Sequence, residues 1–370
     1  MKKVSTELVS RLLGAPIIAA GMLAAMSLAS STAYGQISTG SLSPDGLVAA
    51  PIGATLYAAA DTGFPVYHSH ILAISTQLGT ITADTPLTDF ATALPSRGAL
   101  QLAISKDGTL LFVLNNITKT IDIIAQATNT QIATLSQPQI GPNPIGIRIS
   151  PNGKEIWVAN AGTPPAFNNG SVQVISAVFP YPSLFLVNTA GSPNEVVFNS
   201  TGTLAYVLNG LTTGWVDIVN AKTFKILSNQ VAFPNLNSPN PLSMDITKTN
   251  SSLYIGNGDT NVNDVDIPSG AIDTTIFMFP GFPLADQTIG QTLISPSGKS
   301  VVTADPDIAA VSVAKTKTDT FTGFAFVTPG AVPYFMTFAK TGLLYVSDFN
   351  NTVFATQGGL KQIDVIAGIP

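Results

Sequence analysis

The stretch Gly108-Thr-Leu-Leu-Phe112-Val-Leu-Asn115 recurs along the chain with small changes. It joins a Gly-centred turn to an aliphatic and aromatic run that ends in Asn or Asp. Close copies follow as Gly153-Lys-Glu-Ile-Trp157-Val-Ala-Asn160 and Gly202-Thr-Leu-Ala-Tyr206-Val-Leu-Asn209. The turns of seven copies lie 44 to 55 residues apart, at positions 53, 108, 153, 202, 250, 298 and 342. This period is typical of one four-stranded blade of a β-propeller.

The repeat therefore predicts an all-β fold, a seven-bladed β-propeller of four-stranded antiparallel blades that forms one domain over residues 36–370. Turns such as Ser150-Pro-Asn-Gly153 separate an inner strand from the aromatic strand. The last copy ends after a third strand, and Ile37–Leu42 precedes the first copy. We expect these N- and C-terminal strands to pair and close the ring, because pairing removes an open sheet edge.

The first 35 residues have the pattern of a secretory signal peptide. Lys2, Lys3 and Arg11 precede an apolar run, and small residues at Ala33-Tyr-Gly35 suit cleavage before Gln36. An uncleaved membrane anchor is the alternative, since the run is about as long as a short span. Cleavage predicts a secreted or periplasmic protein with no integral membrane span.

The third copy carries the clearest family pattern. It reads Pro144-Ile-Gly146-Ile-Arg-Ile-Ser-Pro-Asn-Gly153, then Ile156-Trp-Val-Ala-Asn160, then Val172-Gln-Val-Ile175. In this pattern the chain resembles the bacterial and archaeal YVTN-type repeat propellers, over residues 45 to 367. The resemblance implies a propeller fold and an exported or surface-layer-like protein, and it implies no particular activity.

The composition and the motifs of the sequence exclude or disfavour several classes of function. Removing residues 1–35 leaves 13 basic and 20 acidic side chains, an acidic balance that disfavours nucleic-acid binding. The absence of Cys excludes disulfides, thiolate metal sites and Cys nucleophiles. No phosphate loop, dinucleotide fingerprint or haem-attachment motif is present. We therefore expect no cofactor, and a monomer.

An Asn or Asp ends the second strand of every copy. A ring of such groups on one face could bind a cation or a sugar, but a residue that repeats in every blade is better explained as a folding device that caps its own loop. The seven positions are Asp61, Asn115, Asn160, Asn209, Asn257, Asp305 and Asp348.

The loop between the second and third strands departs from the repeat in copies one, three and seven, where it is long. Long loops on a rigid scaffold commonly carry function, and aromatics beside amides suit contact with a glycan, a peptide or a protein. Loops that merely cover the channel mouth are the alternative. The candidate binding residues are Phe64, Tyr67, His68, His70, Phe167, Asn168, Asn169, Phe349 and Asn350.

His68 and His70 are the only histidines. On a strand, this spacing would point both rings to one side, as a two-His metal site requires. Ordinary loop polarity explains them as well, and we predict no metal site.

Charges are rare on the inner strands, yet Arg148, Glu195 and Asp245 fall in consecutive copies. Because both faces of a blade pack on neighbours, an unpaired charge there would be costly. These residues form either a structural ion network or a polar patch lining the channel.

Two functions remain. The first is a non-catalytic binding scaffold of the cell envelope or exterior, with no catalytic residues. The second is a hydrolase or lyase of the lactonase or streptogramin-lyase kind, which would need a cation and acid–base groups at the channel mouth. The second would have to use His68, His70, Arg148, Glu195 and Asp245.

Overall fold

Seven four-stranded sheets stand around a common axis, so the predicted all-β, seven-bladed propeller is confirmed. The computed structural model describes residues 33–62, 68–87, 99–115, 118–163, 169–189, 191–210, 214–227, 231–232, 241–258, 261–278, 289–329, 331–348 and 362–370. Within these ranges the helical content is one 3-10 turn, Pro306–Ile308.

Each blade follows the order of the chain from the axis outward. Blade 1 is formed by β2 Ser43–Ala49, β3 Thr55–Asp61, β4 Ser69–Ser75 and β5 Thr80–Pro86. Blade 2 is formed by β6 Ala99–Ile104, β7 Leu110–Asn115, β8 Thr120–Ala125 and β9 Thr130–Leu135. Blade 3 is formed by β10 Pro144–Ile149, β11 Glu155–Asn160, β12 Ser171–Ser176 and β13 Ser183–Asn188.

Blade 4 differs in its outer strand, which is split into two short pieces that both pair with the third strand. It is formed by β14 Pro193–Phe198, β15 Leu204–Asn209, β16 Trp215–Asn220, β17 Lys225–Ile226 and β18 Val231–Ala232. Blade 5 is formed by β19 Pro241–Ile246, β20 Ser252–Asn257, β21 Asn261–Asp266 and β22 Ala271–Phe277. Blade 6 is formed by β23 Thr292–Ile294, β24 Ser300–Asp305, β25 Ala310–Lys315 and β26 Thr320–Phe326.

Blade 7 is assembled from both ends of the described chain. Its strands are β27 Pro333–Phe338, β28 Leu344–Asp348, β29 Gln362–Ile366 and β1 Ala33–Ser38. In the outer pair, Ile37 lies opposite Ile363 and Gln36 opposite Asp364. The expected ring closure is therefore confirmed, but the closing strand begins and ends earlier than Ile37–Leu42. Leu42 instead follows a turn in which its amide donates to the carbonyl of Thr39 over 3.2 Å.

The core is divided among the junctions between blades. Described buried apolar residues form seven clusters, one between each pair of neighbouring blades. Strand β7 shows why: Phe112 and Leu114 face blade 3, whereas Leu111 and Val113 face blade 1. Because alternate side chains of a strand point to opposite faces, a blade buried on both sides needs an unbroken apolar run. This is the physical reason for the repeated aliphatic and aromatic phrase.

Candidate functional site: the central cavity and the loop face

A cavity of about 510 Å³ lies on the axis, between the innermost strands of the blades. These inner strands are β2, β6, β10, β14, β19, β23 and β27. Each runs antiparallel to the second strand of its blade, so Pro144, which begins β10, lies opposite Asn160, which ends β11. We call the face where inner strands begin and second strands end the loop face, and the opposite one the turn face. The loops between second and third strands also lie on the loop face.

The lining residues extend along most of the length of the inner strands. In β27 they run from Tyr334 to Thr337, and in β10 they include Ile145 and Arg148. Aliphatic side chains supply much of the wall, with a few amides, one arginine and one glutamate among them. A cavity of this size and mixture is typical of a site for a small molecule.

Polar side chains of the inner strands bind the ring together. Four of these hydrogen bonds follow one rule. The acceptor is the side chain four residues before the tight turn of one blade, and the donor is the backbone amide three residues before the tight turn of the next blade. These hydrogen bonds are Ile147 N to Gln101 Oε1 (3.1 Å), Met244 N to Glu195 Oε2 (2.7 Å), Thr292 N to Ser243 Oγ (3.0 Å) and Met336 N to Gln291 Oε1 (2.7 Å).

A second pair of acceptors lies two residues further along the inner strand. Asp245 Oδ2 accepts the amide of Ile294 at 2.8 Å, and Thr337 Oγ1 accepts the amide of Ala49 at 3.4 Å. We call the side chains of both groups, together with Arg148, the inter-blade brackets. They satisfy buried amides of inner strands whose blades pack side by side rather than as one sheet.

Arg148 makes the bracket between blades 3 and 4. Its Nε donates to the carbonyl of Val196 over 3.1 Å, and its Nη2 donates to Glu195 Oε1 over 3.0 Å. In blade 3, Gly146 occupies the position that holds an acceptor side chain in four other blades. A Cβ at Gly146 would lie 2.3 Å from the carbonyl oxygen of Asn194. The two backbones approach so closely that position 146 has no room for a side chain. The contact between blades 3 and 4 is made instead by the long side chain of Arg148.

Glu195 is the most heavily engaged group of the cavity wall. Besides Arg148 and the amide of Met244, it accepts the hydroxyl of Ser243 at 3.0 Å. Burial raises the pKa of Glu195; the charge of Arg148 and the hydrogen bonds from Met244 and Ser243 oppose that rise without cancelling it. The carboxylate is therefore held by donors on two neighbouring blades.

Asp245 lies at the junction between blades 5 and 6 and does not line the cavity. Its two oxygens accept the amides of Ile294 and Ile246, each over 2.8 Å. Burial raises the pKa of Asp245, opposed first by the bond from Ile294 and then by the charge of Arg148. Of the three charged residues that the sequence places on inner strands, Arg148 and Glu195 are in direct contact. Asp245 lies at a different junction, between blades 5 and 6.

The Asn or Asp that ends each second strand is buried in all seven blades. Only some cap their own loop, as Asn115 does by accepting the amide of Thr118 at 3.0 Å. Others bind the third strand: Ser69 donates to Asp61 over 2.7 Å, and Asn209 donates to Asp217 over 3.1 Å. The framework role expected from the sequence holds, and its hydrogen bonds are more varied than a single loop cap.

The two histidines have different surroundings. Strand β4 begins at Ser69, so His68 lies before the strand, exposed, with its amide bound to the Thr62 hydroxyl at 3.0 Å. His70 lies on the strand, and its Nδ1 is 2.8 Å from Asp84 Oδ1 on β5. These are the third and fourth strands of blade 1, whereas the cavity is lined by inner strands. Among the described residues, no group of three or more His, Asp or Glu could hold a metal ion.

Part of the candidate loop surface lies outside the described residues. This applies to Phe64, Tyr67, Phe167, Asn168, Phe349 and Asn350. Asn169 is described, and its side chain closes the base of its loop: Oδ1 accepts the amide of Thr163 at 2.8 Å, and Nδ2 donates to the Thr163 hydroxyl over 2.9 Å.

The aromatic part of the cavity wall was not predicted from the sequence. Tyr334 and Phe335 line it from blade 7, with ring centroids 5.0 Å apart in a T-shaped arrangement. Burial raises the pKa of Tyr334, which keeps its hydroxyl neutral. Asn194 lines the cavity from blade 4 and donates to the carbonyl of Pro241 over 2.9 Å. The departure of Tyr334-Phe335 from the aliphatic pattern of the other inner strands was the available signal.

Comparison with known proteins gives further evidence on the fold. No protein-family model and no curated protein matches the sequence. Among solved structures, the chain is similar to hydrazine synthase of Kuenenia stuttgartiensis, with a TM-score of 0.70 and 14% identity, over 89% of this chain and 96% of that one. At this identity the similarity shows the propeller fold alone. In the described ranges, no helix is long and apolar enough to span a membrane.

Proposed function

We propose that this protein is an exported, non-catalytic propeller of the YVTN-type repeat family that binds a glycan, a peptide or another protein at its loop face. The main support is the use of Glu195 as a bracket. Both of its oxygens accept donors from Arg148, Ser243 and the Met244 amide. A carboxylate engaged in this way holds blades together, and three of its acceptor positions are taken by groups of the protein.

The unequal loops support binding at the loop face. Long connections follow the second strand in blades 7, 1 and 3, between Asp348 and Gln362, Asp61 and Ser69, and Asn160 and Ser171. Blades 7 and 1 are neighbours in the ring, and blade 7 also supplies Tyr334 and Phe335 to the cavity. Aromatic rings beside amide groups suit a sugar ring or a peptide bond, which present both an apolar surface and hydrogen-bonding groups.

Export is proposed from the leader pattern of residues 1–35. Strand β1 begins at Ala33, within that leader. Cleavage before Gln36 would still leave Gln36, Ile37 and Ser38, which pair with Asp364, Ile363 and Gln362. N-terminal sequencing of protein recovered from the periplasm or medium of an expressing bacterium should begin at Gln36, and recovery of full-length chain in the membrane fraction would contradict this.

Binding is tested with a glycan array and a peptide array, probed with wild-type protein and two variants. Tyr334→Ala removes an aromatic ring from the cavity and should abolish the signal for one ligand class. Lys154→Ala, an exposed change beside a tight turn of the turn face, should leave the signal unchanged. Equal loss in both variants, or no bound ligand in either array, would contradict the proposed site.

The hydrolase alternative is tested on the same proteins with a panel of lactones and aryl esters. We expect no turnover above the uncatalysed rate. Turnover that is lost on chelation and in Glu195→Gln would replace the scaffold function with an enzymatic one.

A further inference from the structure

A second cavity, of about 540 Å³, lies on the turn face where blade 6 meets blade 7. Blade 6 lines it with its tight turn at Gly298, the end of β25 and the middle of β26. The opposite wall is formed by residues 368–370, which follow β29 of blade 7. Ser295 donates its hydroxyl to the backbone oxygen of Pro370 over 2.7 Å, which holds this wall in place. The cavity shares no lining residue with the central one.

The charged side chains of this cavity are the exposed lysines Lys299, Lys315 and Lys317, and its described lining contains no Asp or Glu side chain. From Gln36 onward the sequence has only 13 basic side chains against 20 acidic ones, so three of the 13 meet at one place. Within the described part of the chain, none of the three lies within 4.0 Å of a carboxylate. The cavity therefore presents uncompensated positive charge on an acidic protein.

The pairing of β24 with β25 brings the three lysines together. Ser300, which begins β24, lies opposite Lys315, which ends β25. One residue beyond this pair, the amide of Thr316 donates to the carbonyl of Lys299 over 3.0 Å. Lys299 thus lies opposite the residue between Lys315 and Lys317. Because like charges on paired strands repel one another, an anion bound between them would be stabilised.

Both the charge and the space depart from the pattern of the other blades. Lys315 lies opposite the first residue of its second strand, and the residues at this position in blades 1 to 5 are Ser75, Ala125, Ser176, Asn220 and Asp266. Two residues before Lys315, Val313 packs toward blade 7 and lies opposite Gly323, whose φ is 145°. The residues that correspond to Gly323 in blades 1, 2, 3 and 5 are Ala83, Ala133, Phe185 and Thr274. The glycine leaves space where those blades have a side chain.

We propose that this cavity binds a phosphate or sulfate ester of a sugar-sized molecule. Lysines act as point charges that suit a tetrahedral oxyanion, whereas a planar carboxylate is matched by the two-pronged guanidinium of an arginine. Val313, Phe324 and Ile369 add an apolar wall beside the lysines, which suits the carbon skeleton of an ester better than a free ion. The site lies on the face opposite the proposed loop-face site and does not depend on it.

The first experiment is isothermal titration calorimetry of the whole protein with glucose 6-phosphate, glucose 6-sulfate and glucose. We expect at least one ester to bind, with one molecule per chain, and glucose not to bind. The affinity should fall as salt is added, because salt screens exposed charges. Absence of binding by both esters, or binding of glucose with the same affinity, would overturn the proposal.

Paired lysine variants test the position of the site. Lys299→Gln/Lys317→Gln removes two of the three charges and should weaken ester binding roughly tenfold or more. The matched control is Lys154→Gln/Lys222→Gln, which removes two exposed lysines from the corresponding positions of blades 3 and 4. The control should bind as the wild type does, and melting temperatures should stay close in both. An equal loss of binding in the two variants would show that only the overall charge matters, contrary to the proposal.

Inorganic phosphate and lipid vesicles separate the possible sources of the oxyanion. Inorganic phosphate should bind at least about tenfold more weakly than the ester, because it makes no contact with the apolar wall. Equal affinity would reduce the site to adventitious ion binding and overturn the proposal. The protein should not sediment with vesicles of phosphatidylglycerol and phosphatidylcholine. Sedimentation that is lost in Lys299→Gln/Lys317→Gln, without binding of a soluble ester, would assign the lysines to a membrane surface instead.

Discussion

The carboxylate of Glu195 in blade 4 accepts the backbone amide of Met244 in blade 5 over 2.7 Å. The same group holds Arg148 of blade 3 at 3.0 Å, so one side chain connects three consecutive blades. The buried clusters between neighbouring blades consist of apolar side chains, whose contacts are not directional. The brackets add fixed distances to that packing, and they explain why charged residues occur on strands buried on both faces.

Replacing Glu195 should destabilise the ring more than removing a neutral bracket. Glu195→Ala leaves the amide of Met244 and Nη2 of the partly buried Arg148 without their acceptor, and we expect a loss of about 2–4 kcal/mol in the free energy of unfolding. Gln101→Ala removes a single uncharged acceptor and should cost about 1 kcal/mol. Urea denaturation of both variants measures the difference, and equal midpoints would show that the charge of Glu195 has no structural role.

Ring closure predicts a large effect from a small change in β1. Ile37 is buried against Tyr345 and Ile363 of blade 7 and Leu56 of blade 1. Ile37→Ala should cost about 2–4 kcal/mol in the free energy of unfolding, because it leaves a cavity at the closing junction. Ser38→Ala, an exposed position on the same strand, should change stability by less than about 0.5 kcal/mol.

Deleting residues 36–43 should lower the melting temperature far more than either substitution. The deletion removes what cleavage leaves of β1 together with the connection to β2. A melting temperature that barely moves would mean that pairing of β1 with β29 does not hold the ring closed.

A buried carboxylate between blades 5 and 6 should make stability depend on pH. Burial, followed by the charge of Asp319, raises the pKa of Asp264 from 3.8 to about 6. The hydroxyl of Tyr254 lies 2.6 Å from Asp319 and 3.3 Å from Asp264. The folded state therefore binds this proton more tightly than the unfolded chain does, and the stability from this group, full below pH 4, is lost as pH rises to about 6.

Asp264→Asn removes that titration, so stability should change less between pH 4 and pH 7 than in the wild type. Asp319→Asn removes the second cause and should bring the pKa of Asp264 closer to its ordinary value. Thermal melting across this range, with carboxyl carbon NMR to follow Asp264, measures both effects. An unchanged pH dependence in Asp264→Asn would assign the effect to other groups.

The sequence predicted the ring well because its signals are local and repeated. A turn such as Ser150–Gly153 and the run before Asn160 need only a few neighbouring residues to define two strands. The Arg148–Glu195 contact was also accessible, since charges in consecutive inner strands had to meet or be costly. The role of Asp245 was harder to predict, because its partner is the backbone amide of Ile294 and a backbone hydrogen bond produces no pattern in the sequence.

Other features depended on details that a pattern does not contain. The absence of a metal site at His68 and His70 stays a prediction, and the bond of His70 to Asp84 on β5 could not be predicted from the His-x-His spacing. The Leu-Phe-Leu-Val run of β13 has the composition of a buried strand, yet it lies on an outer strand and exposes Leu184, Phe185 and Leu186.

The pairing of β1 with β29 has a consequence for how the protein reaches its final form. Every other blade is built from one continuous stretch and can assemble as soon as that stretch has emerged from the ribosome. Blade 7 is completed later, because its outermost strand, β1, is made near the beginning of translation and the strand that pairs with it, β29, near the end. The earliest segment of the propeller is thus the last to find its place, and until then the growing ring stays open.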